Sequence, residues 1–287
     1  MTHPSQSHRS SFHTVDHRAF TVTGLPAFND NYIWVVVAKQ GQGVAVVDPG
    51  DAAPVIDYCR RHGLVPDQIW VTHHHADHTG GVAELCDWIA QQSPELPVQV
   101  YGPAIEKIPA VTHPLHGGED LIWGGCAVAV LAVPGHTRGH LAYFVPETGS
   151  ILPPALFCGD TLFGLGCGRL FEGTAAQMAE SLNRIGALPP ETRAYCAHEY
   201  TLLNLPFALA VDSGNAALKL RAETIRRMRQ LGEPTVPLTL AEECATNPFL
   251  RCDQPALIES AMDGVGASAV DVFARLRLMR NTFKAPQ

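Results

Sequence analysis

The chain has 287 residues, 46% of them hydrophobic and 17% charged, with a formal charge of −8. That length suits one large domain plus a smaller one, and the composition is that of an ordinary soluble chain. No apolar run approaches the ~20 residues of a membrane-spanning helix, and the acidic balance argues against a nucleic-acid binder held by phosphate contacts.

The charge is unevenly placed. Residues 1–212 carry a balance of −10 and residues 213–287 a balance of +2. A basic C-terminal segment beside an acidic body suits a small anionic substrate held between them, or else a solvated basic helix face. The eight cysteines are scattered, and no two form a C-x-x-C pair. They read as reduced residues of a cytoplasmic protein, several of them in apolar strand-like runs.

Residues 1–18 are rich in Ser and His and lack an apolar core, so they are expected to be a disordered leader. They contain no signal-peptide h-region, and their Arg/Ser content leaves organellar targeting as the alternative. From residue 19 the pattern is β. Phe20–Leu25 alternates, Asn29-Asp30-Asn31 turns, and Tyr32–Ala38 and Gly43–Val47 are strand runs joined through Gly41-Gln42-Gly43. Asp48-Pro49-Gly50 stops the second run. Asp48 reads as a carboxylate that orients the following ligand loop, or as a plain turn aspartate. Residues 52–62 look helical, and Gln68–Val71 is a buried strand.

Directly after that strand comes Thr72-His73-His74-His75-Ala76-Asp77-His78, four histidines and a carboxylate within seven residues. An amphipathic segment, Val82–Ala90, follows. The cluster therefore leaves the C-terminal end of a strand just before a helix, where open α/β folds place their chemistry. His73 and His75 are two apart and point the same way in an extended segment, with His74 opposite. Asp77 and His78 follow where the chain turns into the helix. Imidazole and carboxylate suit a borderline divalent ion. The motif thus offers His73 and His75 to one metal and Asp77 and His78 to a second, while His74 reads as a surface or supporting residue.

Residues 93–126 are rich in Pro and Gly and read as loops and short strands; His113 and His116 there read as surface histidines. The β pattern resumes at Ala127–Val133 and ends in Pro134-Gly135-His136. Leu141–Val145 leads to a turn at Pro146–Ser150. Ala155–Cys158 ends in Gly159-Asp160. Thr174–Leu188 is an amphipathic helix, and Arg193–Ala197 ends in His198-Glu199-Tyr200. Three further strand ends thus each deliver one metal-type ligand: His136, Asp160 and His198. After Thr201 the strand pattern disappears, and Leu205–Val211, Asn215–Leu231, Leu238–Ala245, Gln254–Met262 and Ser268–Phe283 read as helices. The expected organisation is a leader over 1–18, a catalytic domain over 19–197 and a helical domain over 198–287.

Some motifs are absent. The chain has no G-x-S-x-G elbow, and His198-Glu199 has Leu202 where a zincin helix needs its second histidine. Arg169 takes the place of the last glycine of a dinucleotide fingerprint.

Taken together, these residues resemble the metallo-β-lactamase-fold hydrolases and, within them, the glyoxalase II (hydroxyacylglutathione hydrolase) family. The superfamily pattern is His73-x-His75-x-Asp77-His78 with His136, Asp160 and His198. More specific are Asp30-Asn31-Tyr32-Ile33-Trp34, Gly159-Asp160-Thr161-Leu162-Phe163, Gly166-Cys167-Gly168, His198-Glu199-Tyr200-Thr201 and Asn247-Pro248-Phe249. The resemblance covers about residues 19–287. It implies an α/β fold, a four-layer αββα metallo-β-lactamase-like sandwich followed by a C-terminal all-helical domain that holds glutathione. It also implies two divalent ions per chain, most simply Zn2+, with Fe or Mn as substitutes. The first would be held by His73, His75 and His136 and the second by Asp77, His78 and His198, with Asp160 bridging.

Glutathione contacts carry over to Arg169, Phe171, Tyr200, Arg277 and Arg280. Arg169 and Arg280 stand where the family usually has lysine, which keeps the charge. Phe171 stands where tyrosine is frequent, losing one hydrogen bond worth roughly 0.5–1.5 kcal/mol. The implied reaction is hydrolysis of S-(2-hydroxyacyl)glutathione thioesters by attack of a metal-bridging hydroxide on the carbonyl. Asp77 and Asp160 would act as catalytic ligands, in a cytoplasmic monomer without nucleic-acid or membrane partners. Alternatives are a single-iron glutathione persulfide dioxygenase of the same fold, a phosphodiesterase or nuclease of the fold, a cysteine hydrolase using Cys158 or Cys196, and a non-catalytic sensor of glutathione conjugates.

Overall fold

The computed structural model describes residues 13–39, 43–95, 97–146, 153–262 and 267–284. The expected leader up to residue 12, the link at 41–42 and the expected turn over 147–150 lie outside them.

Two sheets form the body. The first takes its strands in chain order: β1 (His13–Asp16), β2 (Phe20–Ala27), β3 (Asn31–Ala38), β4 (Val44–Val47), β5 (Gln68–Trp70), β6 (Gln99–Pro103) and β7 (His113–Leu115). Strands β1 to β4 pair antiparallel, and β4 to β7 pair parallel. Parallel neighbours need crossovers; α1 (Ala52–His62) supplies the one from β4 to β5, α2 (Ala76–Thr79) and α3 (Val82–Gln92) the one from β5 to β6, and a loop the one from β6 to β7. The second sheet contains β8 (Asp120–Trp123), β9 (Cys126–Ala132), β10 (Leu141–Val145) and β11 (Ala155–Gly159). After it β12 (Leu162–Phe163) and β13 (Gly166–Cys167) pair as a separate hairpin. α4 (Ala175–Gly186) then leads to β14 (Arg193–Cys196), which pairs parallel with β11. The C-terminal region holds α5 (Thr201–Val211), α6 (Ala216–Gln230), β15 (Leu238–Thr239), α7 (Leu240–Thr246), α8 (Pro255–Met262) and α9 (Ala269–Thr282).

The first sheet is buried on both faces, and its two-residue periodicity divides the chain between two cores. Phe20, Val22, Trp34, Val36, Val47 and Trp70 face the second sheet. Leu25, Ile33, Val35, Val46 and Ile69 face Val55 and Cys59 of α1 and Leu85 and Ile89 of α3. Trp70 stacks on Tyr143 at 5.4 Å and meets Phe157 edge-on at 5.8 Å, joining the sheets through large aromatic surfaces. Met178, Leu182 and Ile185 of α4 and Phe273 and Leu276 of α9 join the same core. The layers are therefore helix, sheet, sheet, helix. No helix among the described residues is long and apolar enough to cross a membrane.

Two expectations change. His13–Asp16, assigned to the leader, is a strand paired with β2 from His13↔Gly24 to Asp16↔Thr21. His17 behind it is fully buried, its Nε2 2.6 Å from the Tyr195 hydroxyl and its Nδ1 2.8 Å from the Pro153 carbonyl. This anchor is polar, so no apolar run marks it. The C-terminal region also returns to the sheet: β15 pairs antiparallel with β14, and Leu238 and Leu240 are core residues. A two-residue strand is too short to show any periodicity.

Candidate metal centre

Every expected ligand lies at or just beyond a strand's C-terminal end, and the two sheets bring those ends together. Asp48 follows β4 with φ at 50°. Its carboxylate accepts from the Thr72 N–H (2.7 Å), the Thr72 hydroxyl (2.7 Å) and the His78 Nδ1 side (2.9 Å). Asp48 therefore organises the ligand loop and is not a plain turn residue. The Thr72 hydroxyl, having donated to Asp48, accepts from His73 Nδ1 at 3.0 Å. His136 Nδ1 donates to the Arg169 carbonyl at 2.9 Å, and His198 Nδ1 pairs with Asp30 at 2.8 Å. Each of these four rings spends Nδ1 on the protein, which leaves Nε2 for the centre.

The inward atoms converge in two groups. His73 Nε2 and His136 Nε2 lie 3.0 Å and 3.1 Å from His75 Nδ1. Asp77 Oδ2 lies 3.5 Å from both His78 Nε2 and His198 Nε2. Asp160 joins the groups: Oδ1 is 3.4 Å from His78 Nε2 and from His198 Nε2, and Oδ2 is 3.3 Å from His136 Nε2. Gly159, at φ 48°, lets Asp160 reach this point, because a Cβ there would sit 2.4 Å from the Thr72 hydroxyl.

These residues fit a divalent ion. His78 Nε2 and Asp160 Oδ1 are buried with no hydrogen-bond partner, a cost of about 1–3 kcal/mol per atom if nothing else satisfies them. Donor separations of 3.0–3.5 Å are those of atoms sharing one ion at bonds of about 2.0–2.1 Å. The sets His73/His75/His136 and Asp77/His78/His198 each place one donor atom per residue within 4.8 Å of the others.

The electrostatics agree. With protein groups alone, burial opposes charge on His198, yet the Asp160 and Asp77 carboxylates beside it push its imidazole up to about 11. His78 is likewise raised: burial is outweighed by Asp160 and Asp48. Asp77 is held well below the usual carboxylate range by its bond to His198. Asp160 is held low too, because His78 and His198 overcome its burial. The site is built for positive charge at its middle.

The remaining expected residues surround this centre. Phe171, exposed, lies edge-on to His75 at 5.5 Å and His136 at 5.2 Å. Tyr200 stacks on His198 at 4.6 Å with the planes 7° apart. Arg280 donates to Asn204 Oδ1 (3.1 Å) and the Leu203 carbonyl (3.3 Å). Arg277 and Arg280 lie one turn apart on α9, and Arg277 reaches the Cys167 carbonyl two residues before Arg169; burial, Arg277 and Arg169 lower the Arg280 pKa. Arg277 lies deeper than its sequence context suggests. It is 7% exposed, donates to the Cys167 carbonyl at 2.8 Å and to Asn281 at 3.0 Å, and covers the Phe249 ring.

His113 and His116 are exposed and outside the ligand sets, as expected. None of the eight cysteines forms a disulfide. Burial pushes the Cys158 thiol up to about 12 and Cys196 well above its usual value, which removes both as nucleophiles.

Several functional neighbours, Asn247 of the Asn247-Pro248-Phe249 motif excepted, carry no local sequence signal. His140, fully buried, accepts from the Asp160 N–H at 3.1 Å and stacks on His73 at 4.7 Å. From the helical region, Asn204 donates to the Gly164 carbonyl (3.0 Å), and Asn247 donates to the Phe163 (3.1 Å) and Gly166 (3.0 Å) carbonyls. Buried Glu243 accepts the Leu165 N–H at 3.0 Å. The β12–β13 hairpin between Asp160 and Arg169 is thus held by four side chains, counting Arg277. Only their packing in three dimensions reveals this.

Comparison with known proteins agrees with this geometry. A family model described as the metallo-beta-lactamase superfamily matches residues 28–198, and one described as the hydroxyacylglutathione hydrolase C-terminus matches residues 199–283. A hydroxyacylglutathione hydrolase of Dechloromonas aromatica is 50% identical over 279 residues, covering 91% of this chain and 99% of the relative. Another, from Xanthomonas oryzae pv. oryzae, is 49% identical over 262 residues, covering 90% and 97%. Among solved structures, a metallo-beta-lactamase from Staphylococcus aureus matches with a TM-score of 0.57 and 20% identity, covering 95% of this chain and 75% of that one. That last likeness is one of fold. The two family models meet at the junction between β14 and α5, where ligand loops give way to the helices that hold the hairpin, and the chain belongs to the hydroxyacylglutathione hydrolase family of the metallo-beta-lactamase superfamily.

Proposed function

We propose that this chain hydrolyses S-(2-hydroxyacyl)glutathione thioesters, S-D-lactoylglutathione among them, to glutathione and the 2-hydroxy acid. The observation that carries the reading is the pair of ligand sets joined by the two oxygens of Asp160, with an arginine-bearing helix alongside. His73, His75 and His136 would hold one divalent ion and Asp77, His78 and His198 the other, with Asp160 serving both; zinc suits this donor set, and iron or manganese can replace it. Bound there, two such ions would supply a Lewis acid for the carbonyl and would bring the pKa of water from 15.7 down toward about 7.

The chain's own residues do the rest. Asp48, Thr72, Asp30 and the Arg169 carbonyl fix which ring nitrogen His78, His73, His198 and His136 present. Asp77, steadied by Asn31 at 3.0 Å, and Asp160 keep negative charge at the centre. Phe171 stands against His136 of the first set and Tyr200 against His198 of the second, so an aromatic ring flanks each half of the cluster. Arg169, Arg277 and Arg280 give the neighbourhood the positive charge that glutathione's carboxylates need. The departing thiolate is a weak base, its thiol having a pKa of about 8.5, so it leaves without a dedicated acid. The match of the C-terminal family model and about 50% identity to proteins named for this activity support the same substrate. We assign the chain to the cytoplasm as a monomer, in keeping with eight cysteines outside any disulfide.

The test is turnover of S-D-lactoylglutathione before and after chelation, with metal content measured on the same sample. Chelator-sensitive hydrolysis with close to two metals per chain is the expected result. Two bound metals without turnover would refute the substrate. A single iron with oxygen consumption would replace the hydrolase reading with the persulfide dioxygenase.

A further inference from the structure

We propose that Glu106 is a positioning residue for the first metal site, tying the loop that carries His73 and His75 to the loop that carries His136. The inference rests on reading that cluster as a metal site.

Glu106 follows β6 in the Pro/Gly-rich excursion, far from every ligand in sequence. Its side chain is 3% exposed. One carboxylate oxygen, Oε2, accepts from the His74 backbone N–H at 2.7 Å and from His74 Nδ1 at 2.8 Å. The other, Oε1, accepts from the Gly139 N–H at 2.9 Å and from the Thr137 hydroxyl. The first two donors belong to the residue between two ligands of the site, and the other two to the turn immediately after the third ligand. Hydrogen bonds to an ionised carboxylate are among the stronger ones available to a protein. The fit is close, since a Cβ on Gly139 would lie 2.7 Å from Glu106 Cγ.

The clamp answers a physical need. The two loops leave different sheets, one after β5 and one after β9. At their meeting point His73 Nε2 and His136 Nε2 both face His75 Nδ1. The Nδ1 protons of His73 and His136 are already engaged by Thr72 and Arg169, so lone pairs converge there. Without an ion, the single Nδ1–H that His75 can offer faces two acceptor nitrogens, so one lone pair is left over and other groups must hold the loops in place. Glu106 does this from beneath. From outside, Glu172 lies 3.3 Å from His74 Nε2 and accepts the Arg138 N–H at 3.1 Å, closing the same pair of loops. Asp48 performs the equivalent task for Thr72 and His78. Each half of the centre thus has its own buried carboxylate.

The experiment compares Zn2+ affinity, by titration against a competing chelator, in the full-length wild type and the Glu106→Gln, Glu106→Ala and Thr137→Val variants. Gln sets an NH2 against a donor and Ala removes every acceptor. Val keeps the volume of Thr137 and removes one donor. One class of Zn2+ is expected to weaken roughly 10–100-fold in the Glu106 variants and to a smaller extent in Thr137→Val, while the other class holds. The KM for the thioester should stay constant and kcat should recover with excess Zn2+. A purely structural role would lower melting temperature but leave the folded protein's Zn2+ affinity unchanged. That outcome overturns the proposal, and Thr137→Val decides it if the Glu106 variants fail to fold. A wild type that takes up no Zn2+ would overturn the metal reading itself, and this proposal with it.

Discussion

Arg221, 6% exposed, has two acidic partners of very different depth. It pairs with Glu243, whose side chain is fully buried, and its Nε lies 3.1 Å from Glu242, whose side chain is 51% exposed. Glu243 also accepts from the Leu165 N–H at 3.0 Å and from Asn247 Nδ2 at 2.9 Å. Glu243→Ala therefore breaks a buried ion pair from one side and strands a backbone donor in the β12–β13 turn. Removing one partner of a buried pair costs about 3–5 kcal/mol. The stranded donors belong to the same network, so their own penalty is not simply added. Glu242→Ala removes a half-exposed partner and should cost about 0–1 kcal/mol. With a urea m-value of about 3 kcal/mol/M, Glu243→Ala should lower the unfolding midpoint by about 1–1.7 M, against a few tenths for Glu242→Ala. Urea titrations followed by far-UV circular dichroism and tryptophan fluorescence would measure both. The same turn leads into Arg169, whose carbonyl orients His136, so Glu243→Ala should also raise the KM for the thioester. If the two alanine variants differed by less than about 1 kcal/mol, the helical region would not be fastening the hairpin in the way described.

Three further outcomes are expected. Asp48→Asn opposes an NH2 to one of the Thr72 and His78 donors, and chelator competition should show Zn2+ held roughly 10–100-fold more weakly in a folded protein. With protein groups alone, His198 is pushed up to about 11, so it carries a proton near neutral pH that a metal must displace, and His78 is raised in the same direction by Asp160 and Asp48. Zn2+ affinity should therefore rise with pH, about tenfold per unit for each proton released; calorimetric titrations in two buffers would count those protons, and a pH-independent affinity would contradict the assignment. Arg277→Ala leaves the Cys167 carbonyl without its donor, so it should raise KM about tenfold with kcat nearly unchanged and cost about 1–3 kcal/mol of stability. Steady-state kinetics showing an unchanged KM would remove Arg277 from the glutathione contacts.

Much of the fold was legible because it is written in period. Strands such as Leu141–Val145 and the segments that become α1, α4 and α9 announce themselves through apolar spacing and caps. The ligands were legible for a related reason. Asp77 and His78 sit within one short motif, and His136, Asp160 and His198 each follow a recognisable strand end. β15 and the Leu162–Cys167 hairpin were not legible, because strands of two residues have no period.

The sequence by itself determined which chemical groups stand at which strand ends, and hence a fold of alternating strands and helices with a His/Asp centre that suits divalent metal. Tertiary structure alone decided their partners: Glu106 under His74, Glu243 against Leu165, His17 against Tyr195, and Arg277 sunk behind Cys167. Periodic burial is a property of neighbours along the chain, so sequence carries it. A hydrogen bond between single polar residues dozens of positions apart depends only on where folding brings them, and an isolated Glu in a loop has no pattern to announce what it will meet.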